Sequence, residues 1–193
     1  MRWVEHWTIA KDALAPRKSL GFQLGSILPD YFERKPIHRW RDNRELFLEK
    51  VDRIRKMPPG FRRDWQMGTL AHYICDYCCM AHNDEYYRYY RHRVYEVRSQ
   101  KFFKRRHRRG GTDIYRIGPQ HLPAVPEPSG DLLTDTAGLV EAYVKTLHER
   151  IAAFGSQEWF RDERCMDLDI RYAFGLLRAA LVYWGEEEGA EHV

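Results

Sequence analysis

The chain has 193 residues, 44% hydrophobic, 14% aromatic and 31% charged. That is the balance of a globular protein long enough to bury a core without disulfides or metal. No run of 18 apolar residues occurs, which excludes a transmembrane helix, and Glu5, His6, Lys11, Asp12, Arg17 and Lys18 break up any secretion-signal core. A single domain over residues 1–193 is expected, in the cytoplasm, with its four cysteines reduced. The net charge is +4, yet ten of the 22 residues from Arg88 to Arg109 are Lys or Arg. Such a stretch suits phosphate-bearing or acidic partners, or else it is a solvated helix face.

The elements read as helical almost throughout. Residues 3–14 carry apolar positions at helical spacing and stop before Pro16. Residues 18–28 are apolar with two glycines and end at Pro29-Asp30, a loop signal; Pro36 keeps the next stretch irregular. Residues 42–57 form an amphipathic helix with Leu46, Phe47, Val51 and Ile54 on one face, capped by Asp42 or Asn43 and ended by Pro58-Pro59-Gly60. A helix over about 61–80 follows. Asn83 or Asp84 then caps another towards Arg106, broken by Gly110-Gly111. Residues 110–130, with four glycines and four prolines, read as a long loop. Ser129 or Asp131 opens a helix to about Phe154. The last helix covers about 162–186, burying Ile170, Phe174, Leu177, Leu181 and Trp184. No repeat, strand or hairpin signal appears, so the expected class is all-α, a multi-helix bundle.

The nine histidines carry the chemistry. His72 and Asp76 stand four apart, about 40° around a helix, so that imidazole and carboxylate can reach one ion. His92–Glu96 and His38–Asp42 repeat the spacing. About one such pair is expected by chance in this composition, so no single pair decides. Their combination says more. His82 follows Asp76 by six residues, and the cap expected at Asn83 or Asp84 turns the chain there. Two helices joined by a short turn then present His72 and Asp76 from one side, and His82, His92 and Glu96 from the other.

The order His72-Tyr-Ile-Cys-Asp76, His82, His92-Arg-Val-Tyr-Glu96 resembles the zinc-dependent phospholipase C family and the related single-strand-specific zinc nucleases. The likeness extends upstream to Glu5-His6-Trp7-Thr8-Ile9-Ala10, to Leu24-Gly-Ser-Ile-Leu-Pro-Asp30 and to His38, so eight positions in order span residues 6–96. The resemblance implies an all-α fold and two or three zinc ions. Asp30, His38, His72 and Asp76 would hold the first ion, and His82, His92 and Glu96 the second. His6 would hold a third, bridged by Asp76. In the family an N-terminal amine completes that third site. Here Met1 and Arg2 precede Trp3, so weaker occupancy is expected at His6. Zinc-bound hydroxide would attack the phosphorus of a phosphodiester, with Asp30 as the catalytic carboxylate that orients or deprotonates the water.

The expected function is a zinc-dependent phosphodiesterase of the phospholipase C type, acting on a phospholipid. The alternatives are a nuclease-like hydrolase and a non-catalytic, zinc-stabilised binding domain. The basic stretch 98–109 suits either an anionic membrane surface or a nucleic-acid backbone, and of these partners nucleic acid is the less expected. Tyr31 follows Asp30 as in choline-lipid enzymes of the family, but Lys35 stands where an aromatic ring would be expected, which disfavours a quaternary ammonium headgroup. Cys75, Cys78 and Cys79 contain one CxxC without a second, so they read as packing residues. The tyrosines at 86, 87, 89, 90 and 95 read as core packing with an amphipathic outer face. His107, His121 and His148 receive no role.

Overall fold

The structure is a computed structural model and describes residues 2–32, 39–83, 89–155 and 158–185. Among these residues there is no strand. The α-helical segments are α1 (Trp3–Ala13), α2 (Leu20–Gly25), α3 (Pro29–Phe32), α4 (Trp40–Arg55), α5 (Phe61–Tyr77), α6 (Met80–Asn83), α7 (Tyr89–Gly110), α8 (Leu132–Ala153) and α9 (Glu163–Tyr183). The all-α expectation holds, and most ends fall within two residues of the sequence-based bounds. No helix among the described residues is long and apolar enough to cross a membrane.

The helix starts follow from local chemistry. Ser19 Oγ accepts from the Phe22 amide, Asp131 from Thr134 at 2.8 Å, and Asp162 from Arg164 at 2.9 Å, so α2, α8 and α9 each begin with a capped amide. Gly60 has φ 148°, a backbone setting that side chains resist, and it turns the chain from the Pro58-Pro59 break into α5. From Met67 to Tyr77 every residue of α5 is buried. A helix buried on all sides belongs at the centre of a bundle, and α5 packs against α1, α2, α4 and α9.

The α2–α5 crossing is unusually close. A Cβ added at Gly25 would collide with the Trp65 carbonyl and lie 3.0 Å from Gly68 Cα; one added at Gly68 would collide with the Phe22 carbonyl and lie 2.9 Å from Gly25 Cα. Facing glycines let the two backbones touch.

Three expectations are corrected. Pro29-Asp30 is not a loop: proline's fixed φ suits a first helical position, and α3 makes one turn there. The helix expected to run to residue 80 stops at Tyr77. The chain turns through Cys78 and Cys79 into α6, which ends at Asn83; the cap expected at Asn83 or Asp84 leads into residues 84–88, outside the described residues. On α4, Phe47, Val51 and Ile54 are buried but Leu46 is exposed, since it stands about 100° from Phe47.

The basic run lies on α7, and part of it is neutralised by its neighbours. Arg105 pairs with Glu163 at 2.8 Å, Arg106 with Asp167 at 3.4 Å, and Arg98 donates to the Arg161 carbonyl. The 110–130 segment is pinned as well. It contains 3-10 turns at Gly111–Tyr115 and Pro119–His121, and Tyr115 stacks on Phe174 with centroids 4.0 Å apart. His107 and Tyr115 both hold Asp12 at 2.8 Å, which ties α1 to the end of α7. His121 contacts Arg150.

Candidate metal centre

Five elements bring the candidate ligands to one place. α1 supplies His6, α3 Asp30 and α5 His72 and Asp76, while α6 and α7 supply His82, His92 and Glu96. The i,i+4 geometry works as the spacing suggests: His72 Nε2 lies 3.2 Å from Asp76 Oδ2, and His92 Nε2 lies 3.6 Å from Glu96 Oε1. The turn after Cys79 swings His82 round, so that its Nε2 meets His92 Nε2 at 3.2 Å. His6 stacks on His72 with ring centroids 4.2 Å apart, and its Nε2 is 3.3 Å from Asp76 Oδ1.

The donors fall into two groups, His6–His72–Asp76 and His82–His92–Glu96, and within each all ligand atoms lie within 4.8 Å of one another. Asp76 joins the groups, since its Oδ1 is also 3.8 Å from His82 Nε2. The second group has the membership expected. In the first, His6, assigned by the resemblance to a third ion that Asp76 bridges, stands beside His72 and Asp76. Asp30 lies 3.6 Å from His72 Nε2 with a third of its side chain exposed, so it forms the solvent edge of the cluster. His38, Lys35 and the tyrosines at 86 and 87 lie outside the described residues, and Asp42 is exposed on the first turn of α4. Tyr90 is exposed, whereas Tyr95 is buried.

The electrostatics prepare His6 as a ligand. Burial, with His72 stacked against it, pushes His6 down to about 4, which keeps the ring neutral at pH 7. A neutral ring keeps a lone pair for a metal. His72 is also fully buried, but Asp76 and then Asp30 outweigh that burial and raise its pKa. Its Nδ1 is 3.1 Å from the Ser26 carbonyl. A carbonyl only accepts, so the proton sits on Nδ1 and Nε2 faces the carboxylates. The glycine crossing described above brings Ser26 within reach. Burial raises Glu96, and Asp76 and Asp30 raise it further.

These residues fit zinc. Tetrahedral ligands at 2.0–2.1 Å from an ion stand about 3.3 Å from one another, and the contacts among His6, His72, His82, His92, Asp76 and Glu96 span 3.2–3.8 Å. Neither nitrogen of His6 is in hydrogen-bond geometry with any described residue, although the ring is fully buried. A buried polar group without such a bond is costly unless a cation takes its place. The donor set, imidazole and carboxylate, is one that zinc accepts.

The sequence did not disclose the supporting residues. Glu5, fully buried beside His6, accepts from the Arg2 amide at 2.9 Å and from Ser99 Oγ at 2.5 Å, which fixes α1 against α7. Arg39 Nε donates to the His82 carbonyl at 2.9 Å. Asp169 on α9 accepts from the Met80 amide and the Tyr95 hydroxyl. The signal for Asp169 was present: it stands three residues after Met166 and four before Ala173, an acid set in the apolar stripe of α9. Cys75, Cys78, Cys79 and Cys165 are buried and form no disulfide.

A sequence model of a family described as zinc dependent phospholipase C matches residues 6–155, which is 150 of the 193 residues. Comparison with curated proteins and with solved structures found no match.

Proposed function

The chain belongs to the zinc-dependent phospholipase C family, and we propose that it cleaves the phosphodiester bond of a phospholipid, releasing a phosphorylated headgroup and diacylglycerol. The observation that carries this reading is the position of Asp76. It is fully buried and within 3.8 Å of His6, His72 and His82, so one carboxylate links both donor groups. Two or three zinc ions would be held by His6, Asp30, His72, Asp76, His82, His92 and Glu96, with His38 as a further ligand.

Bound zinc supplies Lewis acidity for the phosphoryl oxygens and lowers the pKa of a nearby water. The protein's own groups do the rest. Asp30, at the solvent edge, accepts the proton of the attacking water on its carboxylate. The Ser26 carbonyl keeps the His72 proton on Nδ1, so that Nε2 stays a donor throughout. Tyr31 and Phe32, next to Asp30, are both largely exposed. Aromatic rings at the rim favour a substrate with apolar tails. Pairing with Glu163 and Asp167 lowers the attraction of the α7 basic run for any polyanion, so this charge does not by itself separate lipid from nucleic acid. An anionic membrane surface is a partner that suits the remaining positive charge on α7.

The test is hydrolysis of phospholipid vesicles, of a chromogenic phosphodiester and of single-stranded DNA, with zinc counted by mass spectrometry. We expect lipid cleavage that a chelator abolishes and zinc restores. His72→Ala and Asp76→Ala should each lower the rate by about 100-fold or more, while His148→Ala keeps it. A zinc-loaded protein inert on all three substrates would support the binding-domain alternative, and DNA cleavage alone would support the nuclease.

A further inference from the structure

The two donor groups are not equally self-supporting. His6, His72 and Asp76 project from helices of 11 and 17 residues. His82 projects from α6, a single turn of four residues. One turn fixes more dihedrals than its hydrogen bonds repay, so it needs outside support. The first amides of a helix also lack intrahelical acceptors. The Met80 amide, which opens α6, donates to Asp169 Oδ2 at 2.9 Å.

The same oxygen accepts from the Tyr95 hydroxyl on α7. Tyr95 precedes Glu96 and follows His92 by three residues, and its ring is buried against Trp159 with centroids 5.5 Å apart. One oxygen atom on α9 therefore holds both elements that carry the second donor group. Asp169 is itself buried, and its Oδ1 finds no hydrogen-bond partner among the described residues. A buried carboxylate is a poor way to fill a core stripe where leucine would pack. Its two bonds account for its presence. α9 also lies beyond the part of the chain that the family model covers.

We propose that Asp169 is a positioning residue for the second metal group: through Met80 and Tyr95 it sets His82 against His92 and Glu96. The inference rests on the zinc reading above. It predicts selectivity, because no hydrogen bond among the described residues links Asp169 to His6, His72 or Asp76.

The experiment uses zinc-loaded protein dialysed against graded chelator, with the zinc retained counted by mass spectrometry and the fold checked by circular dichroism. His92→Ala identifies the ion of the second group. Asp169→Ala should release that same ion at roughly 10- to 100-fold lower chelator concentration and leave the other unchanged. Asp169→Asn should hold both ions nearly as wild type does, since an amide oxygen at the Oδ2 position accepts both bonds. Tyr95→Phe, which removes one bond and keeps the ring, should fall between. Leu139→Ala, a buried truncation on α8, should lower stability without this selective release. Folded Asp169→Ala that keeps both ions as wild type does, or loosens both equally, overturns the proposal; so does the same selective release from Leu139→Ala. If Asp169→Ala does not fold, an unchanged Tyr95→Phe overturns it instead. A wild-type protein that holds no zinc defeats the zinc reading and this proposal with it, a result distinct from two firmly held ions in Asp169→Ala.

Discussion

Gly68→Ala should damage both stability and metal binding, although alanine is the better helix former. The added Cβ would overlap the Phe22 carbonyl oxygen and lie 2.8 Å from the Phe22 carbonyl carbon. Both are backbone atoms, so no rotamer change relieves the overlap, and α2 must retreat from α5 by about 1 Å. Overpacking of this kind costs about 1–3 kcal/mol or more, against about 1 kcal/mol gained in helix propensity. A net loss of about 2 kcal/mol lowers the melting temperature by about 4–8 °C for a chain of this size. Ser26 follows Gly25 directly, so the retreat also lengthens its 3.1 Å contact with His72 Nδ1. Zinc retention in the first group should then weaken by about tenfold or more. The control is Gly138→Ala on α8, where the new Cβ meets Pro126 Cγ at 3.3 Å rather than backbone. That variant should be neutral or slightly stabilised. The measurements are thermal unfolding by circular dichroism and zinc retention against chelator. If Gly68→Ala melts and binds zinc as wild type does, the close crossing does not position the site.

Burial pushes the Asp169 carboxyl up from 3.8 to about 7, so the folded state holds a proton that the unfolded chain releases. That contribution to stability is complete below about pH 4 and is lost as the pH rises through about 7. The stability of wild type relative to Asp169→Asn should therefore fall by about 2–3 kcal/mol between pH 5 and pH 8, measured by denaturant unfolding of both proteins in the same buffers. A difference independent of pH would refute it. The four cysteines give a simpler check. Burial raises all four thiols, Cys165 to about 12, so a disulfide reagent at pH 8 should label none in the native protein and four after denaturation. Rapid native labelling at any of them would show that the region opens.

The helices that sequence displayed best were those with a one-sided apolar pattern and strong end signals, such as α8 after Asp131 and α9 after Asp162. α3 and α6 escaped because four residues carry no period to detect. Local spacing exposed the His72–Asp76 and His92–Glu96 pairs, because i,i+4 is a property of one helix. It was less informative about His6, whose closeness to His72 depends on how α1 docks on α5. Glu5–Ser99 and Asp169–Tyr95 were harder still, being joined across 94 and 74 residues. The charge run on α7 was equally hard to weigh from sequence. Counting its arginines gives no hint that Glu163 and Asp167 stand opposite two of them.

The unequal burial of the donor groups has a kinetic consequence. His6, His72 and Asp76 are sealed from solvent, whereas the His92 and Glu96 side chains are 14% and 16% exposed. An ion among the first three meets solvent past Asp30, but its release must part His6 on α1 from His72 and Asp76 on α5, so its exchange should be the slower and paced by a local opening of the protein. An ion beside Glu96 is reached without that opening. Zinc isotope exchange should therefore be biphasic, its slow phase quickened by sub-denaturing urea and its fast phase indifferent to it; a single rate would show that both ions share one gate.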